Sequence, residues 1–291
     1  MRVTRRAAII NFLFFVLLSL GAWWAYNAVS EYFMEPTYTS DRLFKPYGED
    51  VYRIAQKIER GQPISADAVK DLPGGVNARY GEEITLLFHA VGARNVAAID
   101  TLLGAGADPY MVDRPSTGST RDFVFVLTLP GNSTDPNAGF PFINQLITLY
   151  LKHGGDPNRR LQGSEKEPLI SGVALIENYE GFKILLKAGA DPWMEDINGY
   201  TAMSTLGFES TAYEFVNSLI NNGYFNNVET LKLQVFFKSI AFYSQRGDIR
   251  SQNNQSLGIR VLKRNPDYPA DENTLRLFQG PIPWDKVKQA Q

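Results

Sequence analysis

Apolar residues recur along this chain at helical spacing, in short paired runs that end on a glycine. Val51, Ile54, Ala55 and Ile58 fall on one face of a helix, and Ile64, Ala68, Val69 and Leu72 fall on one face of the next. The clearest pair occupies 81–113, with a first helix predicted over Thr85–Val91 and a second over Val96–Leu103. The leucine-rich ends of the second helices are Thr101-Leu102-Leu103, Leu149-Tyr150-Leu151 and Ile184-Leu185-Leu186. Each runs into almost the same phrase: Gly-Ala-Gly-Ala-Asp-Pro at 104–109, Lys-His-Gly-Gly-Asp-Pro at 152–157 and Lys-Ala-Gly-Ala-Asp-Pro at 187–192. Ser218-Leu219-Ile220-Asn221-Asn222-Gly223 is a weaker echo.

The phrase has a physical content. A glycine just past a helix adopts the left-handed conformation without a Cβ clash. An aspartate two residues on accepts hydrogen bonds from the backbone of the following turn. Proline fixes φ and prevents the helix from resuming. The recurring glycines Gly106, Gly154, Gly189 and Gly223 stand 48, 35 and 34 residues apart. This wording, at a period near 33, resembles the ankyrin repeat. Thr85-Leu86-Leu87-Phe88-His89-Ala90 resembles the family's Thr-Pro-Leu-His-x-Ala opening and begins 21 residues before Gly106. Asn198-Gly199-Tyr200-Thr201-Ala202-Met203 is a looser copy, and Leu72-Pro73-Gly74-Gly75-Val76-Asn77-Ala78 mimics the family's ending. The chain departs from the family where Pro109, Pro157 and Pro192 replace the usual Val.

The resemblance implies an all-α fold: an ankyrin-repeat solenoid of helix-turn-helix repeats, each burying its apolar face against its neighbours. Four to five repeats are expected over 48–223, the first of them, 48–80, degenerate. The repeat ending at Gly154 is too long, and the excess is placed at Arg114–Thr120 and at Pro130–Gly139, the latter a strong loop signal. Residues 158–192 and 193–223 form the next two repeats. Residues 224–291 are expected to form a helical cap, with a helix from about Val228 to Gln245, a polar stretch at Ser251–Ser256, a short helix near Leu275, then Pro281 and Pro283.

The amino terminus changes the picture. Residues 1–6 carry Arg2, Arg5 and Arg6, and residues 7–26 contain no charge. Twenty such residues match a bilayer core of roughly 30 Å. Trp23, Trp24 and Tyr26 lie at the far end, as interfacial aromatics do. The arginines predict a cytoplasmic start and a single-pass anchor in a bacterial inner membrane, with 27–47 as a linker and the bulk of the chain in the periplasm. A cleaved signal peptide is the rival reading, and it requires small residues at positions where the candidate sites offer Trp, Tyr or Asn.

Composition narrows the chemistry. The 291 residues carry a net charge of −2, with no basic stripe of the kind nucleic-acid binding needs. Cysteine is absent, which excludes disulfides, thiolate metal sites and a lipidated cysteine. Of the two histidines, His89 sits in the family's opening phrase and is expected to be structural, and His153 lies in a last helical turn. Asp108, Asp113, Asp191, Glu195 and Asp196 lack a calcium-loop register. Ser119, Ser133 and Ser210 lack a nucleophile-elbow setting. No catalytic residue, metal, cofactor or small-molecule substrate is predicted.

In ankyrin arrays the residues after the turn and at the start of the next repeat project as fingertips that bind other proteins. The resemblance places Tyr110, Met111, Asp113, Arg114, Arg159, Trp193, Met194, Glu195, Asp196, Asn198 and Tyr200 there. Aromatics, Met and Arg are enriched at interface cores. The alternative is that Trp193 and Tyr110 only staple adjacent turns. Over residues 1–223 the chain also resembles ankyrin-type immunity proteins that neutralise type VI secretion phospholipase effectors. That resemblance implies a cognate effector protein, a toxin, as partner, blocked by stoichiometric binding. An envelope scaffold or protective factor, such as the ankyrin proteins that accompany catalase, is the second reading.

Overall fold

The computed structural model describes residues 39–130, 136–162, 166–208, 210–244 and 249–269. The expected membrane span at 7–26 and the elements around Leu275, Pro281 and Pro283 lie outside the described residues. So do Ser133 and part of the Pro130–Gly139 segment.

The described residues are all-α: they contain thirteen α-helices and no strand, only one isolated bridge between Arg160 and Pro168. Short helix α1 (Ser40–Leu43) precedes α2 (Glu49–Glu59) and α3 (Ala66–Lys70). Three further pairs follow the same plan: α4 (Leu86–Gly92) with α5 (Val96–Gly104), α6 (Phe123–Val126) with α7 (Pro136–Lys152), and α8 (Leu169–Leu175) with α9 (Tyr179–Lys187). Then come α10 (Ala202–Phe208) with α11 (Tyr213–Asn221), and α12 (Thr230–Ser244) with α13 (Ile249–Arg264).

The pairs stack in two rows. In the first row α2 packs on α4, α8 on α10 and α10 on α12; in the second, α3 packs on α5, α5 on α7, α7 on α9 and α11 on α13. One continuous core runs through the stack, from Leu43, Phe44 and Ile58 through Leu102, Phe123 and Leu185 to Phe236 and Val261. Side-chain caps start many of the helices. Thr85 accepts from Phe88 N–H at 3.3 Å, and Asn95 from Ala98 N–H at 3.0 Å. Asp122 accepts from Phe125 N–H at 2.8 Å and Asn178 from Gly181 N–H at 3.0 Å. The buried Asn95 amide also donates to Ile58 O and Gln62 O of the preceding pair, so this cap doubles as an inter-pair contact.

Three expectations need adjustment. The linker ends earlier than residue 47, because Leu43 and Phe44 are fully buried and the Phe44 ring packs on Tyr80 and His89. Loop signals over Pro130–Gly139 give way to helix from Pro136, a residue suited to a first helical position because its missing N–H would be unpaired there anyway. The polar stretch Ser251–Ser256 belongs to α13, where buried Asn254 donates to Ile240 O at 2.9 Å and Leu257 and Val261 supply the apolar face. Among the described residues no helix is long and apolar enough to cross a membrane.

Candidate functional site

The turns that end the second-row helices share one geometry. Gly106 N–H donates to Leu103 O and Ala107 N–H to Leu102 O, the pair of bonds that closes a helix through a left-handed residue. The same two bonds occur at Gly154, Gly189 and Gly223, all with φ between 83° and 97°. No neighbour comes within 4 Å of a Cβ built at Gly106, Gly154 or Gly189, so backbone conformation and not crowding demands glycine there. The aspartates then act as expected: Asp108, Asp156 and Asp191 each accept at 2.8 Å from the N–H two residues on. The second copy of the phrase differs for a local reason. Tyr150 takes the place of Leu102 and Leu185, its ring fills the space a Cβ at residue 155 would occupy, and Gly155 stands where the others have Ala107 and Ala190.

Two residues after each turn acid, or its equivalent Gly75, stands a side chain that reaches the next turn. Asn77 donates to Gly106 O at 3.2 Å and accepts from Asp108 N–H at 2.8 Å. Asn158 repeats both bonds with Gly189 O and Asp191 N–H, at 3.2 and 2.7 Å. Tyr110 bonds to the Tyr150 hydroxyl at 3.1 Å, and that hydroxyl donates to Asp156 O at 3.0 Å. Burial first, and then the bond to Tyr110, push the Tyr150 hydroxyl's pKa up, so it stays protonated. Trp193 donates through its indole N–H to Tyr224 O at 2.8 Å and packs on Phe225 and Phe236.

This geometry reassigns two expected partner contacts. Trp193 is only 8% exposed and belongs to the core, so it offers a partner almost no surface. Tyr110 is half-buried, held by Tyr150 on one side and by the Arg159 guanidinium 4.3 Å from its ring centre on the other. Both are staples between successive turns. Met111, Arg159 and Met194 occupy one equivalent position and are all half-buried.

Beyond the turns, each unit projects a loop closed by one backbone bond. The closures are Tyr80 N–H to Ile84 O, Asp113 N–H to Arg121 O, Leu161 N–H to Glu167 O, and Asp196 N–H to Tyr200 O, all between 2.7 and 2.9 Å. The first and last loops are tight, and the two in the middle are longer. The expected insertion at Arg114–Thr120 is the tip of the second loop, with Arg114 left-handed at φ 46° and Ser116 N–H donating to Glu83 of the first loop at 2.8 Å.

The last loop carries two exposed large apolar side chains. Asp196 accepts from Asn198 N–H at 2.8 Å and Tyr200 N–H at 2.9 Å, so this acid builds the loop. Glu195 and Asn198 are exposed, but Glu195 also offers its backbone oxygen to Arg160 at 2.7 Å. Tyr200 is 48% exposed and Ile197, at the tip, is 59% exposed. Leu175, ending α8 in the first row, is 60% exposed. Sequence reasoning found Tyr200 but missed Ile197 and Leu175; an apolar residue framed by Asp196, Asn198 and Gly199 was the available signal for the former.

Asp113 and Arg114 line a cleft of about 440 Å3 with Glu59, Phe88, His89 and Gly92 among the other wall residues. Arg114 Nε donates to Asp113 Oδ2 at 3.0 Å, while buried Asp113 Oδ1 has no partner. His89 Nε2 lies 3.1 Å from Ala55 O, which requires the proton on that nitrogen. Burial lowers the pKa of His89, against weaker opposing effects of the Ala55 bond and Glu59, and holds the ring neutral. On the second row, His153 and Lys152 both contact Asp100, at 2.7 and 2.8 Å, and these bonds lower the Asp100 pKa. Asp122 is fully buried with its pKa raised by burial, and its carboxylate accepts from Phe125 N–H and from Gln162 at 3.1 Å. Among the described residues no three His, Asp or Glu side chains gather in a way that could hold a metal. Comparison with known proteins finds no family model and no curated protein that matches this chain.

Proposed function

We propose that this is a protein-binding ankyrin-repeat protein that works by stoichiometric association and not by catalysis. The observation that carries the reading is the recurring unit itself: helix pair, left-handed glycine, aspartate turn, connector side chain and closed loop, repeated along a two-row stack. Such stacks expose a long surface built from loops and first-row helices. Tyr200 gives that surface an exposed aromatic of the type enriched at interface hot spots, and Ile197 and Leu175 add exposed apolar area.

The partner we propose is a cognate secreted antibacterial effector, a type VI secretion phospholipase toxin. Residues 7–26 would hold the protein in the inner membrane with its repeats in the periplasm. An anchored inhibitor meets a lipid-attacking toxin at the surface where the toxin acts. The amino-terminal arginines, the uncharged span and the resemblance described above support this placement.

The test has two arms. An alkaline phosphatase fusion after Gln291 is expected to be active, and a cytoplasmic reporter at the same place silent; the reverse pattern removes the periplasmic reading. Full-length protein purified from envelopes is expected to retain the effector encoded beside it and to protect cells exposed to that toxin. Absence of both retention and protection would leave an envelope scaffold as the surviving reading.

A further inference from the structure

The cleft beside α4 has a chemistry of its own. Its walls are apolar at Ile84, Phe88 and Ala93 and acidic at Glu59 and Asp113. Arg114 adds one cation, already paired through Nε with Asp113 Oδ2. The Asp113 side chain belongs to a residue only 9% exposed, and its second oxygen has no donor. That oxygen is sealed from solvent, so it acts on an incoming group through its charge and not by direct contact. His89 adds no positive charge, since its ring is neutral and its N–H is committed to Ala55.

From this arrangement we propose that the cleft receives a basic side chain, arginine or lysine, presented by a protein partner. The complementarity is twofold. A long aliphatic stem suits the Ile84 and Phe88 walls, and a cationic head suits the two carboxylates. Arginine fits best, because its planar fork of donors suits a carboxylate such as that of exposed Glu59, whose Oε2 already accepts from Ser40 N–H at 3.2 Å. The cleft is roomier than one side chain requires, which leaves space for the backbone that carries it. This deepens the protein-binding reading and rests on it.

Gly92 provides a clean test. It lines the cleft, its φ lies outside the left-handed region, and a Cβ built on it meets nothing within 4 Å. Gly92→Leu therefore fills the cleft without disturbing the helix. The full-length chain in detergent micelles, with isotope-labelled isoleucine methyl groups, is titrated with three acetylated, amidated tripeptides: Gly-Arg-Gly, Gly-Glu-Gly and Gly-Leu-Gly. The arginine peptide is expected to shift the Ile84 methyl signal saturably, and the glutamate peptide to leave it in place. Gly92→Leu is expected to weaken the arginine peptide about tenfold or more while its thermal midpoint stays level or rises. An arginine peptide without a saturable shift, equal binding of the glutamate or leucine peptide, or unchanged binding to Gly92→Leu overturns the proposal. Equal affinity for free agmatine also overturns it, by assigning the cleft to a small cation. Wild-type affinity of Gly92→Leu for the whole effector would overturn the cleft assignment and leave the protein-binding reading standing.

Discussion

Trp193 separates a binding role from a structural one most sharply, and its substitution has a calculable cost. Its ring meets Phe225 and Phe236 edge-on at 5.2 and 6.4 Å between centres, and its indole N–H is bonded to Tyr224 O. An aromatic side chain buries roughly 150–250 Å2, which at about 25 cal/mol per Å2 corresponds to about 4–6 kcal/mol. The alanine retains part of that surface and the site relaxes in part, so Trp193→Ala is expected to cost about 3–5 kcal/mol. Trp193→Phe keeps most of the ring and loses the bond to Tyr224, for about 1 kcal/mol. The assay is urea unfolding of the full-length chain followed by far-UV circular dichroism, which does not depend on the removed fluorophore. Hydrogen exchange adds a location: because contacts in such a stack are between neighbours, protection is expected to fall first between α10 and α12. A change of less than about 0.5 kcal/mol for Trp193→Ala, the range of surface substitutions, would refute the assignment and return the indole to the partner surface.

Other consequences follow from the same core. Leu102 and Leu185 are fully buried at equivalent positions, so Leu102→Ala and Leu185→Ala are each expected to cost about 2–5 kcal/mol in the same assay, and surface-like values at both would mean the repeat register is wrong. Asn158 joins two turns through its amide, and Asn158→Ala is expected to cost about 1–2 kcal/mol and to raise hydrogen exchange at the Asp191 amide; an unchanged exchange rate there would contradict the connector role. His89 has its pKa lowered in the folded chain by burial, so the unfolded chain binds the extra proton: stability is complete above about pH 6.5 and falls as the pH drops below that. Urea midpoints at descending pH are expected to show that loss in the parent and a shallower one in His89→Gln; equal slopes would show that His89 titrates normally.

Much of the helix-pair plan was legible in the sequence because it is written in residues that the backbone itself requires. A left-handed φ selects glycine, and an N–H two residues on selects aspartate, so Gly106, Gly154 and Gly189 and their aspartates mark the turns directly. The paired helices 86–92 and 96–104 fall within a residue of the expected bounds. What stayed hidden depends on distant partners. Trp193 sits in a turn, where neighbours in sequence suggest exposure, and only the arrival of Phe225 and Phe236 buries it. Tyr110 likewise looks free until Tyr150 and Arg159 close on it. The bonds that close the loops join backbone groups, so side-chain types do not reveal them, although Asp196 marks the last loop. Polar 251–256 shows no helix of its own in the sequence, because the partner of Asn254, the Ile240 carbonyl, lies in another helix. The cleft is a product of three separate segments, and neither Glu59 nor Gly92 carries any sign of it in the sequence.

The central claim is that the exposed loop surface binds a protein partner, and titration calorimetry tests it most directly. Full-length protein in detergent is titrated with the proposed effector partner, in parent form and as Ile197→Asp combined with Tyr200→Ala. The Tyr200 hydrogen bonds in its loop are backbone bonds, which alanine retains, its ring is half-exposed and meets the edge of Phe208 at 6.4 Å, and Ile197 is exposed at the tip, so the fold is expected to survive. Aromatic and aliphatic anchors at interface hot spots are worth about 2 kcal/mol or more. The account predicts tight one-to-one binding by the parent and a loss of at least that size in the double variant, with an unchanged unfolding midpoint. Undiminished affinity in the double variant, or no measurable association by the parent, would contradict it.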